Sequence, residues 1–218
     1  NLERQLNQAE LKALKSQMNP HFLFNAFNSI QEYIILNNRE LASDYLGKFA
    51  DLMRIYLDHS REKLITLEDE IKASELYLSL EKIRFEDELN YSVSKAKNID
   101  ETQVSIPPML IQPFIENALK HGLLHKKGEK KLNVFFSTNE KQDVICTIED
   151  NGIGRKASAM LQQNNMKKHK SFATSATQNR IELLNMGRQA DISLQIEDLS
   201  NDKGEATGTK VTLIIPKA

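Results

Sequence analysis

Residues 106–122 read Ile-Pro-Pro-Met-Leu-Ile-Gln-Pro-Phe-Ile-Glu-Asn-Ala-Leu-Lys-His-Gly, or IPPMLIQPFIENALKHG. A proline-rich turn opens the stretch and a helix follows it. Within FIENALKHG, Asn117, Lys120 and His121 stand at i, i+3 and i+4 and so share one face, polar on an otherwise apolar helix. An amide oxygen can ligate Mg²⁺, a hard ion that keeps waters and phosphate oxygens as its other ligands, and a lysine one turn on can reach the phosphates. A solvated face ending at a C-cap, Gly122, fits the same residues equally well.

Two stretches further on change that balance. In IEDNGIG, Asp150 ends a predicted strand, with Gly152 and Gly154 after it. A carboxylate there can accept a hydrogen bond from an exocyclic amine such as adenine's, and the glycines allow close backbone approach. DNG alone is also ordinary hairpin punctuation. In GEATGTKVTLIIP, Gly208 and Thr209 open the last strand with a bare backbone and a hydroxyl. Each signal is bland by itself; the three in this order, split by a long loop, are not.

Around them the second half of the chain reads as α+β. ELNYSVSKA, KLNVFFSTN, DVICTIED, ISLQIED and TKVTLIIP alternate as strands, and TQNRIELLNMG reads as a helix. Strands bunched with helices, without strict alternation, predict helices on one face of a mixed sheet. Residues 151–177 are rich in Gly, Ser, Lys and Asn with weak periodicity, which predicts a long loop acting as a lid or binding loop.

The first half is helical. Residues 1–18 carry Leu2, Leu6, Ala9 and Ala13 at coiled-coil spacing, and the chain opens already in helical rhythm without Met, which predicts a piece of something longer. After Pro20, Leu23, Phe27, Ile30 and Ile34 form one face of a helix, and His21, Asn25, Asn28 and Glu32 another. A short LNNRE link leads to a second amphipathic helix bearing Leu41, Tyr45, Phe49, Leu52, Ile55 and Tyr56. One hairpin cannot close a core around both apolar faces, so a homodimer built on a four-helix bundle is expected. A third helix is predicted from about Glu68 to Phe85, with Thr66 as N-cap and Asp69 three residues on. The chain therefore divides into a coil and dimerisation hairpin (1–66) and an α+β unit (67–218).

Composition excludes several classes. The 29 Lys and Arg are scattered among 30 Asp and Glu, with net charge −1, so no nucleic-acid partner is implied. The only cysteine, Cys146, permits neither a disulfide nor a Cys-based zinc site within one chain. No apolar run approaches the roughly 18 residues of a spanning helix.

The order ENALKHG, DNGIG and GTKVTL resembles the Bergerat-type ATP-binding fold of histidine kinases, type II topoisomerases, Hsp90-class chaperones and MutL proteins. With QMNPHFLFNAFNSI (17–30) and IPPMLIQPFIENALKHG added, nearly the whole chain resembles the cytoplasmic core of a LytS/YehU-type sensor histidine kinase. The resemblance implies that His21 is the phosphoacceptor and that ATP and Mg²⁺ are its cosubstrates. It implies a response regulator receiver domain as recipient and a setting as the cytoplasmic portion of an inner-membrane protein, with any membrane contact made only by missing upstream segments. The residues agree, since the polar stripe would display His21, and Pro20 cannot donate to the Ser16 carbonyl, which predicts a kink beside it. A surface histidine without a role is the plainer alternative.

The same resemblance assigns Asn117 to Mg²⁺, Lys120 and His121 to the phosphates, and Asp150 to the adenine amine. Gly152 and Gly154 fall at the lid base, Gly208 and Thr209 in the adenine pocket, and Arg180 at an arginine that follows the lid. Larger kinase families place an acid directly after the histidine; here Phe22 follows, so Asn25 or Glu116 is expected to orient or deprotonate the ring. Pro113 stands where hydrolysing relatives carry a water-activating carboxylate. Ala173 replaces a usual lid glycine, which leaves a degenerate scaffold with weak nucleotide binding as the alternative function.

Overall fold

The computed structural model describes residues 20–85, 88–165, 181–182, 184–186 and 191–217, and the side chains of residues 20, 21 and 162–165 fall outside that description. The expected coil over residues 1–18, Ala173 and Arg180 therefore lie outside the described residues.

Two helices, α1 (Pro20–Ile35) and α2 (Arg39–His59), form the expected hairpin. Its turn is built by Asn37 in the left-handed region (φ 54°) and by Asn38, whose side chain accepts the Leu41 N–H at 3.2 Å as N-cap. Tyr45, Phe49, Leu52 and Tyr56 of α2 are buried as their spacing predicts. On α1 the buried pair is Phe22 and Ala26, while Phe27 and Ile34, expected in the apolar face, are exposed. The correction has a simple cause. PHFLFNAFNSIQEYII is apolar on more than one side, and a single chain supplies cover for only one.

A short strand, β1 (Ile65–Thr66), pairs antiparallel with β3 (Ser105–Ile106) and leads into α3 (Leu67–Arg84). Thr66 caps α3 as expected, accepting the Asp69 N–H at 3.1 Å while its hydroxyl donates to the Asp69 carboxylate at 2.6 Å. Such a cap contributes about 1 kcal/mol. His59 is buried at the end of α2, whereas His125 is exposed.

The remaining elements are β2 (Leu89–Lys95), α4 (Gln112–Asn117), β4 (Lys130–Thr138), β5 (Val144–Asp150), α5 (Arg155–Asn165), β6 (Ser193–Ser200) and β7 (Ala206–Ile215). The strands form one five-stranded sheet in the order β2-β4-β5-β7-β6. Only β2 and β4 pair in parallel, so the sheet is mixed and the fold α+β, as the strand pattern predicts. Alternation holds along β4, where Leu132, Val134 and Phe136 are buried and Lys131, Asn133 and Phe135 are exposed.

Part of the expected loop is helical. Residues 155–165, RKASAMLQQNN, form α5 because Ala, Met, Leu and Gln favour a helix even without a strong apolar stripe. Arg155 anchors its start to β6 through a bidentate pair with Asp198, at 2.7 and 2.9 Å.

Candidate functional site

Strand parity places the key carboxylate. Val144, Cys146, Ile148 and Asp150 alternate onto the buried face of β5, so the strand that builds the core also carries an acid into it at its last residue. Asp150 is 5% exposed. Burial pushes its carboxyl up to about 6, opposed by backbone N–H bonds from Gly152 and Thr209. Its Oδ1 accepts the Gly152 N–H at 2.7 Å. Thr209, buried on β7, is the register partner of Asp150.

Three glycines explain how separate stretches meet at this acid. A methyl group at Gly122 would stand 2.7 Å from Asp150 Oδ1. One at Gly152 would overlap the Gly122 backbone, and one at Gly208 (φ +151°) would overlap the Asp150 carbonyl oxygen. The Ile153 N–H donates to Gly122 O at 3.1 Å, tying the helix end to the DNGIG loop. Gly122, expected only as a helix cap, is thus part of the site. No side chain fits where these backbones touch.

The helix carrying Asn117 departs from the expected geometry. After α4 the backbone widens into a π-helical turn over Ala118–Leu123, followed by the Leu124 N–H bonding Leu119 O at 2.8 Å, an i→i+5 step. Wider turns alter which residues share a face, and Lys120 is exposed while Asn117 and His121 are half-buried. Burial lowers the His121 pKa, with Lys120 and His125 acting in the same direction, so its imidazole is mainly neutral at pH 7. Among the described residues no group of three or more His, Cys, Asp or Glu could hold a metal ion. An ion bound beside the Asn117 amide would draw its other ligands from phosphate and water.

Ahead of α4, the buried Glu70 of α3 accepts the Met109 and Ile111 N–H groups, both at 3.1 Å, and so holds a turn in which Met109 takes φ 54°. Sequence reasoning missed it. The signal was a Glu in phase with the buried stripe Glu70, Ser74, Tyr77, Glu81 of α3.

On the hairpin side His21 belongs to the first turn of α1 and Asn25 is half-buried one turn on. Phe22 packs its ring 5.0 Å from that of Tyr77 and 6.0 Å from that of Phe49, measured between centroids. It also lines a narrow cleft shared with Glu81, Arg84, Glu116 and Lys120. Glu116 accepts a bond from Gln112 at 3.2 Å. The expected residues therefore fall in two groups. Asp150, Gly152, Gly208 and Thr209 meet at the sheet, Glu116 and Lys120 face the first turn of α1, and the helix of Asn117 links them. Gly154, with φ +78°, immediately precedes α5 and its carbonyl accepts the Ser158 N–H at 3.1 Å.

Residues 9–89 match the family model described as histidine kinase. The LytS sensor protein of Staphylococcus haemolyticus is 34% identical over 151 residues, covering 68% of this chain and 25% of that protein. The LytS sensor protein of Staphylococcus saprophyticus is 30% identical over 213 residues, 97% of this chain and 34% of the relative. The chain thus spans a quarter to a third of the length of these relatives. The solved histidine kinase domain of the blue-light activated histidine kinase of Erythrobacter litoralis aligns with a TM-score of 0.49 at 13% identity, over 96% of this chain and 91% of that one. The chain belongs to the histidine kinase family, with LytS-type sensor proteins as its relatives.

Proposed function

We propose that this chain is the core of an ATP-dependent protein-histidine kinase of a two-component system. The observation that carries the reading is the buried Asp150 carboxylate, walled by backbone at Gly122, Gly152 and Gly208 where any Cβ would intrude. A flat base can approach such a wall closely, and an ionised carboxylate accepts its exocyclic amine. Asn117 would hold Mg²⁺ and Lys120 and His121 would face the phosphates, with Gly154 at the lid base and Arg180 beyond the lid. ATP supplies the transferable phosphoryl group.

In the reaction an imidazole nitrogen of His21 attacks the γ-phosphorus. The new P–N bond forms as the bond to the β,γ-bridging oxygen breaks, and ADP leaves with the electron pair. Asn25 accepts a hydrogen bond from the other ring N–H and fixes the tautomer, or Glu116 takes up that proton as the P–N bond forms. Phosphohistidine then passes the group to an aspartate of a response regulator receiver domain. Residues 1–66 serve as coil, dimerisation and phosphoacceptor unit and 67–218 as the ATP-binding unit. The exposed apolar side of the hairpin supports a homodimer. Among the described residues no helix is long and apolar enough to cross a membrane, and the proposed setting is the cytoplasmic part of an inner-membrane sensor.

Incubation with γ-labelled ATP and Mg²⁺ tests the reading. It expects acid-labile, base-stable label that disappears in His21→Ala and falls sharply in Asp150→Asn. A folded chain that takes no label sinks it.

A further inference from the structure

The cleft between the first turn of α1 and the helix of Asn117 contains an acid that the proposed chemistry does not use. Glu81 of α3 is 3% exposed. Its Oε1 accepts a weak bond from Arg84 at 3.3 Å, while its Oε2 lies 3.0 Å from the other Arg84 nitrogen but off the line of a hydrogen bond and accepts none among the described residues. Tyr77 of its own helix, Glu116 and Lys120 line the same cleft, and the charge of Glu81 is felt by Tyr45 and Tyr56 of α2. From α1 comes Phe22, the residue after His21. The space left is about 20 Å³, enough for a single water.

We propose that Glu81 is a positioning residue for His21 phosphorylation, controlling how tightly the first turn of α1 docks against the helix that carries Asn117. A buried carboxylate paired, among the described residues, with Arg84 alone, one of its oxygens accepting no hydrogen bond and a second acid across the gap, resists closure when ionised and permits it when neutral. Burial, the largest cause, pushes Glu81 up to about 7, with Glu116 adding to it and Arg84 opposing. A raised carboxyl means the docked state binds the proton, so docking is complete at low pH and weakens as pH rises through 7. This inference rests on the kinase reading.

Glu81→Gln keeps the shape and removes the charge. At pH 8, one unit above that value, only about a tenth of Glu81 is neutral. The variant is therefore expected to label His21 up to about tenfold faster than wild type at pH 8 and at an equal rate at pH 6, with ATP binding unchanged. The ratio of variant to wild type at each pH cancels the titration of His21 itself. Hydrogen exchange of the amides of residues 21–28 is expected to slow in the variant by a similar factor at pH 8 only. Equal labelling and exchange at both pH values, or slower labelling in the variant, overturns the role of Glu81 while the kinase reading stands. No label in folded wild type overturns both.

Discussion

Along β4, Leu132, Val134 and Phe136 are fully buried, whereas along α1 Phe24, Phe27 and Ile35 are 69, 58 and 74% exposed. Both elements are rich in apolar residues, but only the sheet layer closes its own core. Helix α3 and the π-helical turn after α4 pack on the sheet, and the opposite face carries Lys131 and Asn133 with the half-exposed Phe135. The hairpin has a second apolar side and nothing in one chain to put on it. The same transfer of apolar surface from water that holds the sheet layer together within one molecule thus favours assembly between molecules at the hairpin.

The largest effect that would break this contrast is at the glycine wall. Gly208→Ala forces a backbone shift at Asp150 and is expected to destabilise the fold by more than about 4 kcal/mol, measured by urea denaturation. A variant as stable as wild type would refute the close approach. Phe136→Ala removes a fully buried ring and is expected to cost about 3–5 kcal/mol at any protein concentration. Phe24→Ala, at a 69% exposed ring, is its counterpart in the hairpin: it should leave intramolecular stability nearly unchanged and weaken self-association, read by sedimentation. If it unfolds the chain without altering assembly, the contrast fails.

Asp150→Asn separates binding from stability. The native carboxyl is raised from 3.8 to about 6, so the folded state binds the extra proton and ionisation in the fold is costly. Wild type therefore loses stability as pH rises from about 4 through 6. The variant should be more stable than wild type by roughly 2–3 kcal/mol at pH 8, with the gain vanishing near pH 4, while nucleotide binding falls. Gly47→Ala, in α2 with open space around it, should give the smallest change, a gain of about 1 kcal/mol from helix propensity. A loss of stability there would indicate a neighbour at that face.

Much of this was legible. Period-two alternation located every strand of the large sheet, and Thr66 and Asp69 marked the start of α3, because cap and pleat are local geometry. Asp150 was singled out from its place at a strand end. Glu70 and Glu81 were not, since a Glu in phase with a buried helical stripe looks like any surface Glu until its partners are known. Gly122 read as a cap because the backbone it touches, at Gly152, lies thirty positions on. The π-helical turn within FIENALKHG was hidden because its residues are ordinary helix formers and the widening depends on packing against β4, β5 and β7.

The sequence by itself determined the α+β class, the hairpin and the strand set, because these follow from nearest-neighbour sterics and from the repeat of apolar side chains. Tertiary structure alone decided which face of α1 is covered, how Asp150 comes to be buried against three glycine backbones, and that Glu81 sits in the cleft beside Phe22. Those facts depend on distances between segments far apart in the chain. Desolvation of a carboxylate, and the charge it is left with, arises only when those segments exclude water from it.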